Sequence, residues 1–295
     1  MYRPQHYFLA LLFVFFFSAA GAQVTDTATV LHSKDSVITP DTDATSLFFK
    51  QGEKTKTPDQ ITVVTKTGKA VSLSRLLKNI DRSTGNWVGG IDTTVDLYVD
   101  YVFSDLDADG KNELVIFNYT GGAHCCDEIY IYKNMSPGKY QYVVRLFGGH
   151  TIITAEKKFE FSFDESFGYF FTCFACGYTD TSDAAPIDLR TIILRYARGK
   201  ITVAPGDQEL RSIINDNLGK LGEQAYEKLD NDALAMDGGL RKAVAMNLAV
   251  FYYSFGRNIP ETKKLFSKYY KYPDARVVWN AFIKNILAVK KDSDF

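Results

Sequence analysis

Between residues 95 and 203 the hydrophobic positions follow the pattern of β-strands. From Val95 to Phe103 an apolar residue occupies every second position, which places one face of a strand on a core. Leu114 to Tyr119 is almost continuously apolar, as in a central strand. Further strands are predicted over Ile129–Tyr132, Tyr140–Phe147, Phe159–Phe163, Tyr169–Phe174, Leu189–Tyr196 and Ile201–Val203. Short, turn-rich intervals between them favour antiparallel pairing.

After Pro205-Gly206 the apolar residues take up helical spacing. Asp207 is a predicted N-cap, because its carboxylate can accept hydrogen bonds from the free amides of a helix start. A second helix is predicted to stop at Gly256, a third to open at Pro260 and a fourth to begin near Asp274. In the first helix the predicted buried residues are Leu210, Ile213, Ile214, Leu218 and Leu221, and in the second they are Leu240, Val244, Leu248, Phe251 and Phe255. In the third helix they are Leu265, Phe266 and Tyr269, and in the fourth Val278, Phe282, Ile286 and Val289. A short helix is also predicted over Leu73–Ile80.

Strands followed by helices predict an α+β fold, either as one unit or as two docked domains. We expect an antiparallel β region, blade-like or a small sandwich, at residues 61–204, and a helical region at 205–295. Residues 23–60 are rich in Thr, Ser, Asp and Lys and have little apolar periodicity, so they are predicted to form a flexible leader.

Residues 1–22 have the pattern of a secretory signal peptide. Arg3 precedes an apolar run from Tyr7 to Phe17, and small residues lead to a cleavage site after Ala22. The run is shorter than the ~20 residues that cross a bilayer, and no later stretch is long and apolar enough to do so. We therefore expect an exported chain, periplasmic or extracellular, with no transmembrane segment in its mature form.

The composition of the chain gives limited information about its function. The net charge of −1 gives no indication of binding to nucleic acid or to an anionic membrane surface. The chain is rich in aromatic residues, with 22 Phe and 18 Tyr. In strands such residues pack a sheet well, whereas an exposed cluster would indicate a binding face.

The segment Asp105-Leu-Asp-Ala-Asp-Gly-Lys-Asn-Glu113 carries the candidate chemistry. Calcium takes six to eight oxygen ligands, and aspartates at alternate positions of a tight loop direct carboxylates toward one centre. We predict side-chain ligands at Asp105, Asp107, Asp109 and Glu113, and a carbonyl ligand at Lys111. Empty, these carboxylates would repel one another at ~1 kcal/mol per pair in water at ~4 Å. The alternative is an acidic surface turn without metal.

Other divalent sites fit this loop less well. Magnesium gives up its waters reluctantly, which disfavours a site built from many protein oxygens. An EF-hand would require its last ligand at position 116, which is Ile116, and helices where strands are predicted.

Asp105-x-Asp107-x-Asp109-Gly110-x-x-Glu113-Leu114, running directly into an apolar strand, resembles the calcium loop of the FG-GAP repeats that form integrin-alpha-type propellers. The resemblance covers residues 95–133 and one loop, where a propeller has several. It implies that the ion is structural, holding a loop rigid, and that the same five residues are its ligands.

All four cysteines follow the predicted cleavage site: Cys125, Cys126, Cys173 and Cys176. Export favours disulfides. Three pairings are open, among which two cross-strand bridges joining Cys125 and Cys126 to Cys173 and Cys176 are geometrically reasonable. A zinc site with His124 and a redox-active CxxC are the alternatives.

Three functions remain open. The leading one is non-catalytic binding or adhesion to a cell-envelope protein or glycan. The second is a hydrolase with general acid–base chemistry at His124, beside Asp127 and Glu128, with His150 as the other candidate histidine. The third is assembly through the C-terminal helices. No catalytic motif such as a nucleophile elbow, P-loop or HExxH is present.

Overall fold

The structure, a computed structural model, describes residues 48–49, 51–54, 57–85, 99–119, 127–148, 151–178, 187, 189–229, 237–293 and 295. All of these belong to one compact unit, Val37–Phe295. The predicted signal peptide, most of the predicted leader, His124, His150, Cys125 and Cys126 lie outside the described residues.

The larger sheet has six strands. They are β1 (Thr62–Val64), β2 (Ala70–Ser72), β3 (Val99–Ser104), β4 (Glu113–Tyr119), β5 (Asp127–Ser136) and β6 (Lys139–Phe147). Their order across the sheet is β2-β1-β6-β5-β4-β3. The strands β3 to β6 form an antiparallel meander, as their short connections predict. The exception is β1, which pairs in parallel with β6.

The smaller sheet is antiparallel, with the order β10-β9-β8-β7. Its strands are β7 (Ile152–Ile153), β8 (Phe159–Ser162), β9 (Thr191–Ala197) and β10 (Lys200–Val203). The β9–β10 hairpin turns at Arg198-Gly199, where both residues have positive φ. A tight turn therefore joins the two strands, in one of the turn-rich intervals of the sequence.

Of the α-helices among the described residues, four follow the last strand, as predicted, and two lie between strands. They are α1 (Leu73–Gly85), α2 (Asp164–Phe167), α3 (Gln208–Gly222), α4 (Leu240–Ser254), α5 (Ile259–Tyr269) and α6 (Ala275–Asp292). Asp207 caps α3 by accepting a hydrogen bond from the Leu210 amide at 2.8 Å. Gly256 follows α4 with a φ of +89°, which favours glycine at a helix end. Together with the antiparallel-rich sheets, these helices confirm the α+β class.

The central strand β4 faces two cores, which explains its continuous apolar sequence. Leu114 and Ile116 pack toward α1, in a cluster with Val63 and Leu73. On the opposite face, Val115 joins a larger cluster that contains residues of both sheets and of helices α3 to α6. Burying a side chain such as leucine or isoleucine stabilises the fold by ~1.5–3 kcal/mol. The β region and the helical region are therefore stabilised by one shared core.

Two sequence predictions need correction. The predicted strand Tyr169–Phe174 is irregular and forms no ladder. Phe170 is buried against Phe167 at the end of α2, whereas Tyr169 is 69% exposed. The predicted leader is too long, since Phe49 is buried in the larger core and Glu53 forms a β-bridge with Phe103. Among the described residues, no helix combines the length and the hydropathy needed to cross a membrane.

Candidate metal site

The acidic segment is the loop of the β3–β4 hairpin. Ser104 pairs with Glu113 across the base of the hairpin, so the strand register fixes both ends of the loop. Between them the chain reverses through left-handed backbone at Ala108, with a φ of 57°, and at Gly110, with a φ of 82°. Glycine adopts this conformation without steric cost.

The three aspartates converge. One carboxylate oxygen from each of Asp105, Asp107 and Asp109 lies within 4.8 Å of the others. Backbone amides fix this arrangement: Asp105 Oδ1 accepts from the Asp109 amide at 3.1 Å, and Asp105 Oδ2 accepts from the Gly110 amide at 2.9 Å. Asp109 Oδ1 accepts from the Lys111 amide at 2.8 Å. The backbone of the loop therefore closes on the Asp105 carboxylate, which accepts two of these hydrogen bonds.

Two carboxylate groups of this cluster lie in low-dielectric surroundings. Asp107 Oδ1 is buried and has no hydrogen-bond partner. Glu113 is only 3% exposed, and its Oε2 accepts from the Leu106 amide at 3.1 Å. Burial raises the pKa of Glu113, and the neighbouring charges of Asp107 and Asp109 raise it further against the opposing hydrogen bond from Leu106. The cluster therefore carries an uncompensated excess of negative charge.

Residues of the smaller sheet and its turns form hydrogen bonds with the acidic β3–β4 loop. The Lys157 ammonium donates to the Asp105 carbonyl at 2.6 Å, and the Arg198 amide donates to Asp107 Oδ2 at 2.5 Å. The Tyr196 hydroxyl hydrogen-bonds Glu113, and burial together with that carboxylate raises the pKa of Tyr196. These three residues come from the β7–β8 turn, the end of β9 and the β9–β10 turn. No sequence motif indicates them, because only the packing of the two sheets brings them to the loop.

The nearest cation within the loop is a weak counter-ion. Lys111 Nζ lies 4.0 Å from Asp109 Oδ2, and both side chains are exposed. Exposed pairs of this kind contribute only ~0–1 kcal/mol. All of the convergent groups are oxygens, which is the donor set of a hard divalent cation. Asp105, Asp107 and Asp109 are placed to hold such an ion, with Glu113 beside them at the base of the loop.

The cysteines of the CxxC segment are bonded to each other. Cys173 and Cys176 form a disulfide within one turn, so they are not available for cross-strand bridges to Cys125 and Cys126. The segment is a loop, which explains why the strand geometry assumed for the bridges does not apply. The buried Lys242 ammonium donates to the carbonyls of Phe174 at 2.7 Å and Cys176 at 2.9 Å. As a disulfide, the pair offers no thiolate for zinc.

Glu128, one of the acidic residues of the hydrolase hypothesis, is held in a buried network. Its carboxylate accepts from Asn118 Nδ2 at 2.9 Å, from the Tyr130 hydroxyl at 2.7 Å and from the Arg145 guanidinium. These donors hold the Glu128 carboxylate in one position, which suits a structural ion pair better than a general base. Asp127 is also buried.

The fold and site define an α+β protein with an acidic hairpin loop held between two sheets. Comparison with models of protein families, with curated proteins and with solved structures finds no match to this chain. Its function must therefore be argued from its own residues.

Proposed function

We propose that this chain is an exported, non-catalytic binding protein in which the loop Asp105–Glu113 holds a structural calcium ion. The proposed ligands are the side chains of Asp105, Asp107, Asp109 and Glu113, with the Lys111 carbonyl. The ion holds the hairpin loop rigid, and the hydrogen bonds from Lys157, Tyr196 and Arg198 join that loop to the smaller sheet. This end of the fold is thereby kept in place for a partner in the cell envelope.

The observation that carries the proposal is the buried Asp107 Oδ1 without a hydrogen-bond partner, among three carboxylates that converge within 4.8 Å. An unpaired buried carboxylate oxygen is costly unless a cation or a donor meets it. The amide hydrogen bonds to Asp105 hold the loop in this arrangement before any ion binds. Calcium is preferred to magnesium because it accepts an irregular, all-oxygen site.

Export is proposed from the sequence at residues 1–22 and agrees with a disulfide at Cys173 and Cys176, since such bonds persist outside the cytoplasm. A binding role is proposed because the loop carboxylates converge as a ligand set for an ion, and Glu128, an acidic candidate of the hydrolase hypothesis, is held by Arg145 in a buried network.

Thermal unfolding of the purified protein in calcium, in magnesium and in a chelator tests the proposal. An ion that binds only the folded state stabilises it by ~2.7 kcal/mol at about a hundred times its Kd. We expect a higher Tm in calcium than in magnesium or in the chelator. Equal midpoints in all three would refute the calcium assignment.

A matched pair of variants makes the test specific to the loop. Asp107→Asn keeps the side-chain shape and removes the charge, so it should abolish most of the calcium-dependent rise in Tm. Asp216→Asn removes an exposed aspartate from α3 and should leave the rise unchanged. A similar loss in both variants would indicate a nonspecific effect of charge.

A further inference from the structure

A second feature lies beside the acidic loop and is not part of the metal cluster. It is a groove of about 520 Å³ where the β3–β4 loop meets the β5–β6 turn. Gly110 to Asn112 line it from the first, and Asn134 to Pro137 from the second. Its volume is within the ~300–1,000 Å³ range of small-molecule sites.

Three polar side chains in the groove are held in place by hydrogen bonds, two of them to each other and the third to the backbone. Asn112 Nδ2 donates to Glu53 Oε2 at 3.1 Å, and Asn134 Nδ2 donates to the Asn112 carbonyl at 3.2 Å. These contacts use one side-chain atom of each residue and leave the second oxygen of Glu53 and the amide oxygens of Asn112 and Asn134 for a ligand. Groups held in place in this way lose little entropy on binding.

Aromatic residues make the groove rigid. The rings of Phe103 and Tyr140 pack with centroids 5.3 Å apart, and both residues are buried. Burial, then the nearby Glu113 and Glu53 carboxylates, raise the pKa of Tyr140, so its hydroxyl stays protonated. Beside them Met135 offers an apolar surface and is 55% exposed.

The lining of the groove carries one negative and one positive side chain. Its lining includes one carboxylate, Glu53, and one ammonium group, Lys111. A strongly anionic or cationic ligand would meet a like charge, whereas a neutral ligand would not. Amide and carboxylate oxygens next to an apolar patch match a molecule that alternates hydroxyl groups with C–H surface.

We propose that this groove binds a neutral oligosaccharide, with Glu53, Asn112 and Asn134 accepting hydrogen bonds from sugar hydroxyls and Met135 contacting a ring face. The inference rests on the proposed binding role and specifies its ligand class. Because Gly110, Lys111 and Asn112 belong to the acidic loop, an ion in that loop would also order part of the groove lining.

An array of immobilised glycans tests the proposal directly. Neutral gluco-, manno- and galacto-oligosaccharides and N-acetylglucosamine oligomers are compared with sialylated and sulfated glycans, in calcium. We expect retention of the purified protein on members of the neutral set. Retention on acidic glycans alone, or on none, would overturn the proposal.

Variants then locate the site, measured by titration calorimetry with the best-retained neutral oligosaccharide. Glu53→Ala removes both carboxylate oxygens and should weaken its affinity at least about tenfold, as expected on losing a hydrogen bond to a charged acceptor. Met135→Glu should also weaken it, whereas Val277→Glu, at an equally exposed apolar position on α6 (55%), should not. Unchanged affinity in both groove variants would place the sugar elsewhere and refute this site.

The two proposals fail separately. A calcium-dependent Tm with no binding of neutral glycans would refute the groove and leave the calcium site standing. Glycan binding that depends on Glu53, with no calcium effect on Tm, would refute the calcium site and leave the groove standing.

Discussion

The acidic loop and the start of helix α4 both gather carboxylates, but the two sites differ in the cations of the chain that face them. At α4, Arg241 donates to Asp237 at 2.8 Å and to Asp274 at 2.8 Å, and the side chains of Arg241 and Asp237 are 1% and 0% exposed. Burial lowers the pKa of Arg241, but its hydrogen bonds to Asp237 and Asp274 raise it more. Each of these two carboxylates is therefore bonded to a guanidinium of the chain.

The carboxylates of the acidic loop have no such guanidinium partner among the described residues. Asp105, Asp107 and Asp109 converge with Glu113 beside them, and Lys111 reaches only an exposed oxygen of Asp109. The Lys157 ammonium in turn donates to a carbonyl, that of Asp105. The comparison contrasts carboxylates that share a guanidinium of the chain with a partly exposed acidic cluster that has none, for which we propose a cation from solution. The following predictions test this distinction.

The largest effect is expected for Arg241→Met. Removing one partner of a buried ion pair leaves the carboxylates of Asp237 and Asp274 without their counter-ion, which costs about 3–5 kcal/mol. Urea unfolding should show this loss equally in calcium and in chelator. Arg276→Met, at an exposed position on α6, is the control and should change stability little. If Arg241→Met cost no more than the control, the two clusters would not differ as described.

Glu113→Gln should act in opposite directions with and without calcium. The raised pKa of Glu113 means that its ionised form is disfavoured in the folded state. At low pH, where Glu113 is protonated in both states, the folded state does not bear the cost of a buried charge. This advantage is lost as the pH rises through the folded pKa. In chelator at neutral pH the variant is therefore expected to be more stable than the wild type.

In calcium the same variant lacks one anionic oxygen, and its calcium affinity is expected to fall at least about tenfold. Thermal unfolding in both buffers measures the two effects. Destabilisation of the same size in calcium and in chelator would mean that Glu113 acts only through packing.

Replacing Cys173 and Cys176 together by serine should cost about 2 kcal/mol or less, because the bond closes a very short loop. The bonded segment packs on Lys242, next to Arg241, and so belongs to the helical end of the comparison. Unfolding in urea should show the loss, and the calcium-dependent rise in Tm should remain. A lost calcium response would mean that the two regions are coupled.

The smallest effect is expected for Tyr196→Phe, which removes the hydroxyl that hydrogen-bonds Glu113. The cost should be about 1 kcal/mol, and it should be measurable by denaturant unfolding against Tyr226→Phe, a tyrosine on the surface near α3. A larger cost in chelator than in calcium would indicate that the ion takes over the role of this hydroxyl.

Local sequence determined much of the fold. Apolar spacing predicted β3 to β6 and β8 to β10 within a few residues, and the signals at Asp207, Gly256 and Pro260 located the ends of α3, α4 and α5. The predictions failed where an apolar segment does not indicate which element of the fold it packs against. Tyr169–Phe174 has the composition of a strand but forms no ladder, and the predicted leader contains Phe49, whose burial depends on a distant core.

By itself the sequence determined the α+β class and the position of the acidic loop, because strand and helix periods and the aspartate spacing are properties of neighbouring residues. Only the tertiary structure decided what surrounds that loop. Lys157, Tyr196 and Arg198 reach it from the second sheet, and Glu53 and Asn134 meet across the groove. Contacts between residues far apart in the chain depend on how the sheets pack, which no local pattern encodes.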